Sequence, residues 1–135
     1  MGRFLRNRRA ASLYVEGVIT FPIVIILFLG VINAGEVIFA QSAVLDAARY
    51  GARMGSVAQQ GQGAALAVSS AQTAISKVTF LRNVKVSILA PGGVAGSIIK
   101  IRVTADVDNL LGKILPGTSD LWSVTGESTF RQEGW

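Results

Sequence analysis

The chain of 135 residues contains no cysteine and no histidine. Their absence removes disulfide frameworks, Cys/His nucleophile pairs and most metal sites, because transition-metal centres draw chiefly on thiolate and imidazole. It leaves the redox compartment open. Charge is scarce as well: 16% of the residues are Asp, Glu, Lys or Arg, against about 25% in an average soluble domain. Half are hydrophobic. That balance points to a chain that lives partly outside water. There is no phosphate-binding loop, glycine fingerprint or nucleophile motif, so catalysis would rest on carboxylates, Lys, Ser or Tyr alone. Neither an enzyme nor a cofactor is expected. Asp106 and Asp108 lack the further oxygen ligands that calcium needs and read as solvated turn residues, so no metal is expected either.

The net charge of +5 is concentrated at one end. Arg3, Arg6, Arg8 and Arg9 precede any acid, and without them nine basic residues face eight acidic ones. A nucleic-acid binder carries its basic stripe on the folded surface. This chain does not, and nucleic acid is not expected as a partner.

Residues 17–35 (GVITFPIVIILFLGVINAG) are uncharged. Nineteen residues of helix cover about 28 Å, close to the ~30 Å hydrocarbon core of a bilayer. The rest of the chain is too short to wrap a helix that is apolar on every side. Thr20 and Asn33 can be satisfied by the helix backbone or a neighbour, and Pro22 predicts a kink tolerated in lipid. The arginines before the span place the N-terminus in the cytoplasm and the body across the membrane. A cleaved secretory signal is the competing reading. A cut after Ala34 or Ala40 would put Ile32 or Ile38 where a small residue is wanted.

No helix breaker separates Glu36 from Tyr50. At 100° per residue, Ala40, Val44, Ala47, Ala48, Gly51, Ala52 and Gly55 share one side of a continuing stalk, opposite Ser42, Asp46, Arg49 and Arg53. A face of such small side chains, with Ala47, Gly51 and Gly55 four residues apart, lets another backbone come close. Two occupants are open: the chain's own globular part, or other subunits. A rod over residues 12–56 would be on the order of 65 Å long.

Beyond the QQGQG loop of residues 59–63, residues 64–78 show helical spacing in Ala67, Val68, Ala71, Ala74 and Ile75. Val84, Val86 and Ile88 alternate as a strand, Pro91-Gly92-Gly93 turns, and Ile99, Ile101, Val103 and Ala105 alternate again, predicting an antiparallel hairpin with one wet face. Residues 110–115 form a short apolar excursion. Residues 122–130 give a third strand, with Trp122 expected in the core and Trp135 at the terminus. The fold class is therefore α+β, a long N-terminal transmembrane and stalk helix followed by a short helix packed on a small antiparallel sheet of about three strands. The sheet's own core is small, so docking of the stalk against it should help to stabilise it.

Arg8-Arg9-Ala10-Ala11-Ser12-Leu13-Tyr14-Val15-Glu16 ahead of an apolar helix resembles the start of type IV prepilin-like proteins. It is similar above all to the TadE-like pseudopilins of tight-adherence pilus systems, as are Pro22, Phe28-Leu29-Gly30-Val31-Ile32, Ala47-Ala48-Arg49-Tyr50-Gly51-Ala52-Arg53 and Ser128-Thr129-Phe130-Arg131-Gln132-Glu133. Two positions depart from the pattern. Ala11 stands where the family usually has Gly, and Gly17 follows Glu16 where pilin relatives often carry an aromatic residue.

The resemblance implies a basic cytoplasmic leader over residues 1–11, cut by a prepilin peptidase between Ala11 and Ser12, which makes Glu16 the fifth residue of the mature chain. It divides the rest into a transmembrane and stalk helix (residues 12–57) and an extracytoplasmic α+β domain (residues 58–135). A carboxylate beside an apolar span must be paired or stay at the interface. Before a cut, Arg8 or Arg9 can serve Glu16; afterwards the new amino group of Ser12 on a neighbouring subunit can, and that pair would set the axial register between helices.

The function so implied is that of a minor pilin or pseudopilin in pilus assembly, anchored in the bacterial inner (cytoplasmic) membrane. Its partners would be membrane lipid, prepilin peptidase, other pilin or pseudopilin subunits and the pilus assembly platform. The alternatives are an unprocessed single-pass scaffold or binding module, and a secreted α+β domain with a cleaved signal.

Overall fold

Ala, Leu and Arg, all strong helix formers, run through residues 2–56, and the chain forms one helix there, α1 (Gly2–Ser56). In this computed structural model the backbone of residues 2–115 and 117–133 is described, with the side chains of Ser12 and of those residues from Tyr14 onward. Fifty-five residues make a rod of about 82 Å. It is longer than the expected 12–56 because the arginine-rich leader has neither Pro nor Gly between Arg3 and Glu16 and simply continues the helix. Pro22 lies inside it without interrupting it. The rod stops where Ser56 Oγ turns back to the Arg53 carbonyl (2.8 Å) and the polar 59–63 segment begins.

The second helix, α2 (Gly63–Ile75), buries Gly63, Ala67, Ala71 and Ile75, one residue per turn. It ends three residues earlier than the apolar spacing suggests. The Ser76 amide still bonds to Gln72, the Val78 amide then closes a turn onto Ile75, and the chain departs through the β-branched Val78 and Thr79 towards the sheet.

Three strands follow: β1 (Arg82–Pro91), β2 (Ile98–Asp108) and β3 (Leu121–Arg131), in spatial order β1-β2-β3 and antiparallel throughout. β1 pairs with β2 through two irregularities, whereas β2 pairs with β3 in unbroken register from Ile98↔Arg131 to Asp108↔Leu121. Both helices cover one face, α1 over β2 and β3, α2 beside α1. This is the expected two-layer α+β unit.

Ile99, Ile101, Val103, Ala105 and Val107 of β2 are buried beneath Ala40, Val44, Ala47, Ala48 and Ala52 of α1 and Ala67, Ala71 and Ile75 of α2 in one cluster. The second half of α1 is thus the centre of the core and not an appendage to it. Gly126 of β3 makes the approach possible: a Cβ there would lie 2.6 Å from the Leu45 amide nitrogen. At the far end, Gln132 ties the β1–β2 loop by accepting bonds from the Gly93 amide (2.8 Å) and Ser97 Oγ (3.3 Å), and the Glu133 amide bonds to the Ser56 carbonyl (3.0 Å).

Two expectations are corrected. Trp122 is exposed, because it lies at the end of β3 beyond the width of the covering helices. Asp106 and Asp108 belong to β2, not to a turn: Asp106 accepts from Asn83 Nδ2 (2.9 Å), and Asp108 pairs with Arg82 (3.0 Å) and Lys113 (3.4 Å). In the 110–115 excursion, on which no burial was expected either way, Leu111 is half-buried while Ile114 and Leu115 are exposed. Trp135 lies outside the described residues.

Candidate assembly surface of the long helix

The two halves of α1 have opposite surroundings. From Tyr14 to Phe28 every residue is exposed, including Tyr14, Val15, Val18, Ile19, Phe21, Ile23 and Phe28. Burial begins at Leu29 and Gly30 and is complete at Asn33, whose Nδ2 donates to the Asp108 carbonyl (2.9 Å). So Asn33, read from the sequence as a polar residue inside the span, is the first tie between the rod and the sheet. The helix carries an apolar window long enough to cross a membrane, and none of that window is buried. An apolar surface of this extent is not stable in water and marks a partner, either lipid or other helices.

Glu16 and Ser12 occur in this exposed half, one helical turn apart on the same side of α1. Immediately beyond Glu16, a shallow groove is lined by Tyr14, Gly17, Val18, Phe21 and Pro22. A Cβ at Gly17 would meet nothing within 4 Å, so the groove is open there. The side chains of Ala11, Arg8 and Arg9, the expected cut site and the candidate partners of Glu16, lie outside the described residues.

The small-residue face has its occupant within the chain. Ala47, Ala48, Gly51, Ala52 and Gly55 are all buried against the chain's own body, within the core that α2 and β2 share with α1. A Cβ at Gly51 would stand 2.6 Å from the Ala71 Cβ and the Ala67 carbonyl, and one at Gly55 would stand 2.6 Å from the Ala67 Cβ. Of the two occupants the sequence left open, the body itself is the one seated there.

Sequence reasoning missed Gly126 and Gln132, which fix the sheet and its loop against α1. The signal for the first was available: a glycine inside a strand pattern marks close backbone approach. On β2 and β3, Glu127 receives Lys100 Nζ (2.8 Å) and Arg102 Nε (2.6 Å), and those hydrogen bonds, Lys100 first, hold its carboxyl below the ordinary range. Among the described residues no cluster of three or more acidic side chains is placed to hold a metal.

Residues 12–53 match the TadE-like protein family. The TadE-like segment thus comprises the exposed apolar half of α1 together with most of the half that the body encloses. No curated protein and no solved structure matches the chain.

Proposed function

We propose that this protein is a minor pilin or pseudopilin that takes part structurally, and not as an enzyme, in assembling a tight-adherence type IV pilus. The observation that carries this reading is the TadE-like match over residues 12–53 on a helix whose Tyr14–Phe28 half is bare and apolar. A prepilin peptidase removes residues 1–11, cutting between Ala11 and Ser12. The matched segment begins at Ser12, the residue such a cut would expose. The rod is held in the inner membrane with the body outside, as the four leading arginines favour.

Leaving the bilayer then requires an exchange of contacts, because a bare apolar helix is released from lipid cheaply only onto other helices. The groove from Tyr14 to Pro22 offers such a contact. Glu16 pairs with the Ser12 amino group of a neighbouring subunit and so sets the axial register. The small-residue face takes no part in that exchange, since the chain's own body fills it.

The mass of the mature N-terminus tests the reading. A chain beginning at Ser12 is the expected result. One that begins at Met1 or Gly2 assigns the protein instead to unprocessed membrane-anchored scaffolds, and a start after about residue 34 to secreted domains. That last outcome conflicts with the Asn33–Asp108 hydrogen bond, which such a cut would remove.

A further inference from the structure

The body and the apolar run overlap along α1. A Cβ on Gly30 would meet Leu111 Cδ1 of the β2–β3 loop at 3.7 Å, so the loop packs against the rod at that level. The uncharged run continues to Gly35, five residues or about 7.5 Å farther along the helix. If residues 17–35 fill the hydrocarbon core, the base of the body lies below the membrane surface. Sliding the rod outward by the same five residues would carry Glu16 about 7.5 Å into the opposite leaflet, at the cost of burying a carboxylate.

The surface at that base is suited to immersion. Ile114 is 53% exposed and Leu115 and Phe80 each 42%. Trp122, 40% exposed, pairs with Val107 in the β2–β3 register and so lies on the helix-facing side of the sheet, beside the point where α1 departs. Exposed Trp at such a level is the side chain that prefers the headgroup zone. Asp108 there is matched by two cations, Arg82 and Lys113, while Glu36, beside Phe80 in the same groove, and exposed Asp120, at the end of the loop, belong at the level of the headgroups. The loop is already shaped: the Lys113 amide bonds to Asn109 (3.2 Å), the Leu115 amide to Leu111 (2.9 Å), and Asn109 Nδ2 to the Ser119 carbonyl (2.7 Å). Little ordering is left for the membrane to impose.

We propose that the β2–β3 loop, through Ile114 and Leu115 with Phe80 and Trp122 around it, is seated in the headgroup and upper acyl region of the bilayer that α1 crosses. The proposal rests on the membrane-spanning reading of α1, whose continuity with the loop at Gly30–Leu111 names lipid as the occupant. A seat of ~5–10 Å is the depth amphipathic surface elements reach, and the overlap has that size. The base thereby fixes the height and tilt of the body above the membrane.

The absence of cysteine allows single labelling sites. Ile25→Cys in the span, Ile114→Cys in the loop and Val94→Cys in the β1–β2 loop at the opposite end of β2 each receive an environment-sensitive fluorophore. The full chain is reconstituted at low density in phosphatidylethanolamine–phosphatidylglycerol vesicles. Labels at 25 and 114 should be quenched by nitroxide lipids, and the iodide quenching constant at 114 should be at least about threefold below that at 94, as for an interfacial element. Iodide quenching at 114 equal to that at 94, with 25 still reached by nitroxide lipid, overturns the seat and leaves the span standing. Iodide access at 25 overturns the span and the seat together. Shielding of 114 from both quenchers would mean that a second copy covers the loop, which also overturns the proposal.

Discussion

Gly51 of α1 and Ala71 of α2 face each other so closely that a methyl group on the former would stand 2.6 Å from the methyl of the latter. The contact repeats one turn on at Gly55 and Ala67. It draws two helix backbones together and lets α2 complete the cover over β2. Gly51→Leu should therefore destabilise the body itself by about 3 kcal/mol, the upper part of the range for overpacking. Denaturant unfolding of the detergent-solubilised chain reads this directly. An unchanged midpoint combined with lost self-association would instead return the small face to an intersubunit role.

The close approach of α1 to β3 rests on a single residue. Gly126→Val should cost at least about 2 kcal/mol, because its side chain would overlap backbone atoms of Val44 and Leu45 and not the tip of a flexible side chain. The same unfolding measurement checks it, with Thr125→Val, whose exposed side chain should change little, as the comparison.

Asn33→Ala removes the first tie between rod and sheet. The loss of one hydrogen bond should cost about 1 kcal/mol, and amide exchange at Val107–Asn109 should accelerate while that in the middle of β2 does not. Uniform acceleration along β2 would show that Asn33 holds the whole sheet and not only its end.

Glu127 is held below its ordinary carboxylate range by hydrogen bonds from Lys100 and then Arg102. A carboxyl with a lowered folded-state pKa stabilises the protein above its unfolded value, and that contribution is lost as pH falls through the folded one. Stability should thus decline as pH drops below about 4.5, the ordinary value, and Glu127→Gln should flatten that part of the profile. At neutral pH, where that contribution is fully present, the substitution should lower stability by the same amount, which solvent screening keeps small.

Glu16→Ala and Glu16→Lys should leave membrane insertion intact and reduce pilus assembly, because the residue stands in the exposed half of α1 away from the core. Fractionation reports the first and pilus output the second. Full output from either variant would remove the register pairing.

Much of the fold was legible because its signals are periodic. The uncharged run, the small face over residues 40–55 and the alternation in β2 each specify which side chains share a surface. Periodicity does not say what covers that surface, which is why α2 and an external helix could not be told apart for Gly51 and Gly55. Trp122 shows the same limit: its place in the alternation is right, yet burial depends on where the covering helix passes, a property of the assembled layers. Gln132 was still less legible, since its side chain acts on Gly93 and Ser97, more than thirty residues away in sequence. As for the candidate surface, its apolar character could be read directly, whereas the point where exposure gives way to enclosure, near Gly30, depends on the β2–β3 loop.

Because residues 33–56 serve both as shaft and as the middle of the head, there is no swivel between the two. A head joined by a flexible neck could face any direction once its shaft was placed. Here one helix runs through both, so the azimuth of the head about the shaft is fixed by the helix itself and turning one turns the other.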